Sequence, residues 1–167
     1  MPLSSSDPKT LSDLFNQAVQ EVYAAETVTE EALPGIIDKV SASALKNALS
    51  KHLEETHGHV SRLERLFGMI GETPDSVNNC MIDGMVKDAT RMSRHIDDAR
   101  VRDEGLAASV LGVAHYEVAR YRAVTSWASR LGHGDCVPLL EETLAEKTAT
   151  CATLSQFLGC GSDRRGE

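Results

Sequence analysis

The stretch that decides the fold is Lys51 to Phe67, KHLEETHGHVSRLERLF. Taking every third or fourth residue through it gives Leu45, Leu49, His52, Thr56, His59, Leu63, Leu66 and Ile70, a spacing that lays them along one stripe of an α-helix. Two imidazoles therefore stand where leucines are expected. A buried histidine must be partnered, so other helices should bring carboxylates, hydroxyls or a metal to the same level. Glu55 lies at the edge of the stripe, one turn from both His52 and His59. The same stretch also spells Glu54-Glu55-Thr56-His57, the Glu-x-x-His pair of carboxylate-bridged di-metal bundles. At about 100° per residue, Glu54 falls nearly opposite the stripe and His57 well to one side, toward solvent or a neighbouring subunit. Phase therefore favours the cluster His52, Glu55, His59 over the spelled motif.

Upstream, a helix is predicted from Asp7-Pro8, an N-cap followed by proline at the first helical position. Its stripe runs Phe15, Val19, Val22, Glu26, Thr29, Leu33, and Glu26 replaces a hydrophobe in the middle of it, which demands a partner for the carboxylate. Pro34-Gly35 breaks or kinks the chain, Ser41 or Ser43 can cap the second helix, and Gly71 ends it. So short a connection makes these two helices antiparallel neighbours.

Downstream, the polar turn GETPDSVNN leads to an amphipathic piece from Cys80 to Ile96 with Ile82, Met85, Val86, Ala89 and Met92, read as a crossover helix. DDARVRDEG is the next break. A third long helix then spans Asp103 to Leu131 on Leu106, Val110, Val113, Glu117, Val124, Trp127 and Leu131. Leu131-Gly132-His133-Gly134 stops it, and a last helix runs from Asp135 to about Leu158 on Leu140, Leu144, Lys147, Cys151 and Leu154. Lys147 is again a charge on an apolar face.

Four long helices, two short reversals and one long crossover make an all-α, ferritin-like four-helix bundle with an additional short crossover helix. It is expected as a single domain over residues 1–160 with a disordered tail at 161–167. In an up-and-down pairing the helix midpoints coincide, so Glu26, Glu55 with His52 and His59, Glu117 and Lys147 should meet in one buried polar layer. Two occupants remain open. One is a single divalent metal (Fe, Mn or Zn) held by His52 or His59 with Glu26, Glu55 and Glu117. The other is the Lys147 ammonium itself, hydrogen-bonded to Glu26 or Glu117 in a metal-free ion-pair network.

Composition narrows the function classes. With 17 basic and 25 acidic residues in 167, the formal charge is −8, which argues against a broad nucleic-acid surface. MPLSSSDPKT lacks the apolar core of a signal peptide, and no apolar run approaches the length of a membrane span; the chain reads as soluble and cytoplasmic. Cys80, Cys136, Cys151 and Cys160 form no Cys-x-x-Cys pair or zinc spacing. Cys151 reads as a small core residue and Cys160 as an exposed one. His115 lies off the stripe, and His95 and His133 fall at helix ends, where a dipole interaction suffices.

Seven segments carry a family resemblance: TLSDLF at residues 10–15, YAAE at Tyr23 to Glu26, HLEETHGHVSRLERLF, VRDEGL at Val101 to Leu106, HYEVARY at His115 to Tyr121, LGHGD, and LLEETLAEK at Leu139 to Lys147. Over residues 9–158 the chain resembles the YciE/YciF family of ferritin-like bacterial proteins. The resemblance implies a cytoplasmic helical bundle, commonly a homodimer, linked to stress responses and distantly similar to rubrerythrin; it brings no established reaction and assigns no catalytic residue. Three positions depart from the family pattern. Ala114 replaces the first Glu of Val-Glu-His-Tyr-Glu, Lys147 stands where Glu is usual, and Cys151 where Asp is usual. A carboxylate-rich di-metal centre takes about four acidic ligands and two imidazoles. Here the stripes supply Glu26, Glu55 and Glu117, so a full di-iron centre is not expected.

Overall fold

A computed structural model describes residues 8–75, 77 and 79–160. The tail expected at 161–167 and the N-cap expected at Asp7 lie outside them. The chain forms α1 (Leu11–Ile37), α2 (Ser43–Ile70), α3 (Cys80–His95), α4 (Ala99–Arg130), a short 3₁₀ turn (Gly134–Cys136) and α5 (Val137–Phe157). No strand occurs among the described residues.

Local chemistry moves several helix ends from where the sequence put them. α1 starts at Leu11, not at Pro8, because Thr10 and Asp13 make a reciprocal box: Thr10 Oγ1 accepts from the Asp13 amide at 3.1 Å and Asp13 Oδ2 accepts from the Thr10 amide at 3.0 Å. Two otherwise orphaned donors are thereby satisfied. Pro34 does not break the helix. It sits exposed in the last turn, where its missing N–H removes one backbone bond and its own carbonyl still accepts from the Asp38 amide at 3.1 Å.

Neither Ser41 nor Ser43 caps α2. Its N-cap is Ala42, and the acceptor comes from another helix. The buried Asp103 carboxylate on α4 takes the Ser41 amide at 3.0 Å and the Ala42 amide at 2.7 Å. At the other end Gly71, at φ 74°, closes α2 as the sequence indicated, in a conformation that L side chains rarely adopt. DDARVRDEG is a break only at its start. Asp98 accepts from the Val101 amide at 2.9 Å and α4 begins at Ala99, which puts Asp103 on the buried face. Gly132, at φ 81°, ends the following turn, and α5 starts at Val137 after the 3₁₀ turn.

α1 packs against α2 and α4, and α5 against α2 and α4, so the four long helices form a square with α1 and α5 across one diagonal. The side-chain pairs Tyr23–Glu64 and Glu30–His57 run in opposite chain directions, making α1 and α2 antiparallel. α3 carries the chain back outside the square, in the groove of α1 and α4, burying Ile82 and Ala89. Gly105 lets it approach: a Cβ there would stand 3.3 Å from Met92 Sδ.

Most of the apolar core lies in two clusters. One cluster gathers Phe15, Val19, Val22, Leu63, Leu66, Phe67, Val124 and Leu140 at one end; the other gathers Leu33, Leu45, Leu49, Leu106, Val110 and Leu154 at the opposite end. Ile70 is only half-buried and Phe67 takes its place in the core. Trp127 and Leu131 are likewise half-buried, with Tyr121 and Ala128 inside instead. Between the two clusters lies a polar layer.

Asp103→Ala should lower the free energy of unfolding by about 1.5–3 kcal/mol, the contribution of hydrogen bonds to a buried charged acceptor. Asp13→Ala, at an exposed cap, should cost less. Urea unfolding of the two variants beside the unmodified chain checks the ordering.

Candidate functional site

Helical period alone turns polar residues of every long helix inward at mid-height: Glu26 from α1, His52 and His59 from α2, Glu117 from α4 and Lys147 from α5. All five are at most 1% exposed. Lys147 reaches across the bundle, and its Nζ donates to Glu26 Oε2 at 2.8 Å and to Glu117 Oε2 at 2.6 Å. Thr29 Oγ1 donates to the second Glu117 oxygen at 3.1 Å. His59 stands between two carboxylates, with Nδ1 3.4 Å from Glu26 Oε2 and Nε2 2.9 Å from Glu146 Oε2. Arg62 holds Glu146 from outside, donating at 2.7 and 3.1 Å, and also reaches Glu142 at 2.6 Å. A chain of polar contacts thus runs from the surface at Glu142 to the centre at Lys147.

Four of the five expected site residues meet here. Glu55 does not: Lys51 one turn before it takes its carboxylate at 2.7 Å, and Thr150 Oγ1 donates to it at 3.4 Å, at the rim of the α2–α5 seam. Glu54 is exposed, and His57 pairs with Glu30 on the surface at 2.5 Å, so the spelled Glu-x-x-His motif faces outward as its phase indicated. Arg62, Glu146 and Tyr121 also belong to the site. Tyr121 falls on the α4 stripe, four residues after Glu117 and three before Val124, whereas Arg62 and Glu146 lie off the apolar stripes, the clue to Arg62 being its i, i+3 relation to His59 on the α2 face turned toward α5.

The electrostatics follow from one ammonium facing two buried carboxylates. Burial alone would raise both carboxyls. At Glu26 the Lys147 charge and His59 outweigh burial and hold the group at about 2. At Glu117 burial, reinforced by repulsion from the Glu26 carboxylate, prevails over Lys147 and lifts the group to about 7. The two titrate as a pair: one stays ionised far into acid, and the other takes up a proton near neutrality. Burial also disfavours the Lys147 ammonium, but Glu117 and Glu26 outweigh it and raise its pKa.

His52 differs from His59. Neither of its ring nitrogens has a partner, and burial first, then the Lys147 charge, depress it to about 3, so it is a neutral imidazole. Tyr121 OH and Glu26 Oε1 also lack a bond of good geometry. Burial first, then the nearby Glu26 and Glu117 charges, drive the Tyr121 phenol well above its ordinary range.

These side chains do not fit a di-metal centre. One oxygen of Glu26 and one of Glu117 are already bonded to the Lys147 ammonium. Ala114 and Cys151 pack with Val118 in an apolar contact beside the layer, where further carboxylates would be needed. Among the described residues no three His, Cys, Asp or Glu side chains are arranged to hold an ion.

The class of protein is thereby defined: a ferritin-like helical bundle whose central layer is an ammonium between carboxylates. Residues 10–165 match the family described as a domain of unknown function, DUF892, and the chain belongs to that family. It is 32% identical over 150 residues to protein YciF of Escherichia coli strain K12, spanning 89% of this chain and 90% of that protein. The structure of that E. coli stress protein matches with a TM-score of 0.87 at 28% identity, covering 95% of this chain and 100% of the other. YcfI from Rhodopseudomonas palustris matches with a TM-score of 0.87 at 36% identity, over 90% of this chain and 96% of that one. A ferritin-like, diiron-carboxylate protein from Bacillus anthracis shares the fold, with a TM-score of 0.66 at 17% identity over 90% and 99% of the two chains. Among the described residues no helix is long and apolar enough to cross a membrane.

The pKa directions give a pH signature. Between 6.5 and about 3 the unfolded chain protonates His52 and the folded chain does not, so stability falls as pH drops through that window. The carboxylate raised to about 7 acts oppositely: its stabilisation is complete below 4.5 and lost as pH rises through 7. The carboxylate held at about 2 stabilises above 4.5 and loses that contribution in acid. From 4.5 to 6.5 the first two offset each other, and below 4.5 the losses at His52 and Glu26 add. His52→Leu should therefore gain on the unmodified chain by up to about 1.4 kcal/mol per pH unit as pH falls below 6.5. Urea unfolding at pH 7, 6, 5 and 4 reads this, and parallel curves for the two proteins would refute it.

Proposed function

We propose that this chain is a metal-free ferritin-like bundle acting as a structural or partner-binding unit, with Lys147 as its permanent internal cation. The observation that carries this reading is the buried Lys147 Nζ, bonded at 2.8 and 2.6 Å to one oxygen each of Glu26 and Glu117. A divalent ion beside that ammonium would meet like-charge repulsion in a medium that screens poorly. The two carboxylates are engaged in holding three helices together. The R. palustris relative is itself described as a candidate structural protein, and the E. coli relative as a stress protein. On that footing we propose a stress-associated role for this chain; a cytoplasmic homodimer is what the family resemblance implies.

The second reading is a single divalent ion, Fe, Mn or Zn, held by Glu26, His59 and Glu117 with His52, and with Glu55 only if its side chain turned inward. It is favoured by the two unpartnered nitrogens of His52. It requires the Lys147 ammonium to leave the layer.

Lys147→Met strands two buried carboxylates and should destabilise by about 3–5 kcal/mol. Adding Glu26→Gln and Glu117→Gln to it should restore most of that loss. The unmodified protein, stripped and then given Mn, Zn or ferrous iron, should show no rise in thermal midpoint. A rise abolished by Glu26→Ala or His52→Ala would establish the metal reading instead, and a neutral Lys147→Met would remove the network altogether.

A further inference from the structure

We infer that the outer face of α4 binds a second copy of this chain, with the two α4 helices antiparallel about a two-fold axis at the height of Val113. This rests on the structural or partner-binding reading above and names the partner and the surface. It does not depend on which cation fills the central layer.

The two ends of the face identify the partner. Glu104 and Arg122 are exposed, and neither side chain has an ion-pair or hydrogen-bond partner among the described residues. Eighteen residues separate them, five turns of α-helix, so they stand on the same side of α4 about 27 Å apart. An antiparallel copy with its axis midway sets Glu104 of each chain against Arg122 of the other and forms both pairs at once. A parallel copy would oppose like charges at both ends.

Between those ends the face has the composition of an interface centre, where charged residues are depleted. Charged residues make up 25% of the chain, yet the exposed α4 residues from Glu104 to Arg122 are Ala108, Gly112, His115 and Ala119, with no acid, lysine or arginine among them. On one flank α5 has no Asp, Glu, Lys or Arg from Thr148 to its end at Phe157. On the other, α3 presents Met81, 58% exposed, beside a shallow groove lined by Gly84, Met85, Ala108 and Gly112. Gly84 and Gly112 lie inside helices, where glycine is less stable than alanine, and a Cβ at either would meet nothing within 4 Å. Packing within the chain accounts for Gly105, which faces Met92 Sδ, but not for these two. The close approach of a second backbone does, because the two-fold rotation puts Gly112 next to the axis and Ala108 of each chain close to Ala119 of the other.

Sedimentation equilibrium of the full chain tests this. The unmodified protein should dimerise. Glu104→Arg and Arg122→Glu should each weaken self-association at least tenfold, because each variant opposes like charges at both ends of the contact. An equimolar mixture of the two variants should associate as tightly as the unmodified chain, since the mixed dimer has opposite charges in both pairs. Gly112→Arg should abolish association without lowering the thermal midpoint of the monomer, because its side chain meets open space in the single chain and the second helix in the dimer.

A chain that stays monomeric at high micromolar concentration overturns the inference. So does a dimer as tight in Gly112→Arg as in the unmodified protein, or a mixture of the two charge variants that associates no better than either alone. Any of these results leaves the metal-free reading intact, because that reading is decided by Lys147→Met and by metal addition to the unmodified chain.

Discussion

One ammonium shared by two carboxylates, fully enclosed, is the constraint around which this bundle is arranged. Lys147 comes from α5, Glu26 from α1 across the diagonal and Glu117 from α4 beside it. The three helices cannot slide past one another without breaking a bond between buried charges, and breaking such a bond costs far more than its net contribution when intact. Apolar clusters above and below the layer tolerate small shifts, since their contacts are non-directional. The charged layer does not. It therefore acts as a register pin between two halves of a core.

α2 joins this layer by a different route. His59 does not contact Lys147; it spans from Glu26 inside to Glu146 outside, and Arg62 ties Glu146 and Glu142 to the same helix face. The central charges are thus connected to the surface along the α2–α5 seam, and the α1–α4 side is closed by Thr29 and by α3 lying over it. Asp103 plays a comparable part at one end of the bundle, where a buried α4 carboxylate receives the first amides of α2. Charge placed between helices, not within them, recurs as the device that sets their relative positions.

Much of this was legible before any coordinates. Glu26, His52, His59, Glu117 and Lys147 interrupt apolar stripes whose phase is set by neighbouring leucines and valines, and all five are buried. The outward phase of Glu54 and His57 was equally readable. Glu55 stands at the rim instead of in the layer because an edge position can turn either way, and Lys51, one turn back, offers an exposed partner at 2.7 Å. Arg62 and Glu146 escaped notice because long charged side chains at stripe margins look solvated until a second helix covers them. Helix starts were displaced at α1 and α4 because Thr10 with Asp13, and Asp98, outcompete the nominal signals at Asp7-Pro8 and Asp103.

By itself the sequence determined five helices and the central polar residues Glu26, His52, His59, Glu117 and Lys147 on their inward faces, because helical period is a property of a few adjacent residues. It also carried the family membership. What only the tertiary structure decided is which of those charges touch. That depends on the gap between side-chain ends on different helices, a few ångströms set by the packing of the whole bundle, and no repeat within a single helix encodes it. The choice between a metal and an ammonium at the centre turns on that gap: Lys147 is long enough to cross it, and it lies within hydrogen-bond reach of both carboxylates.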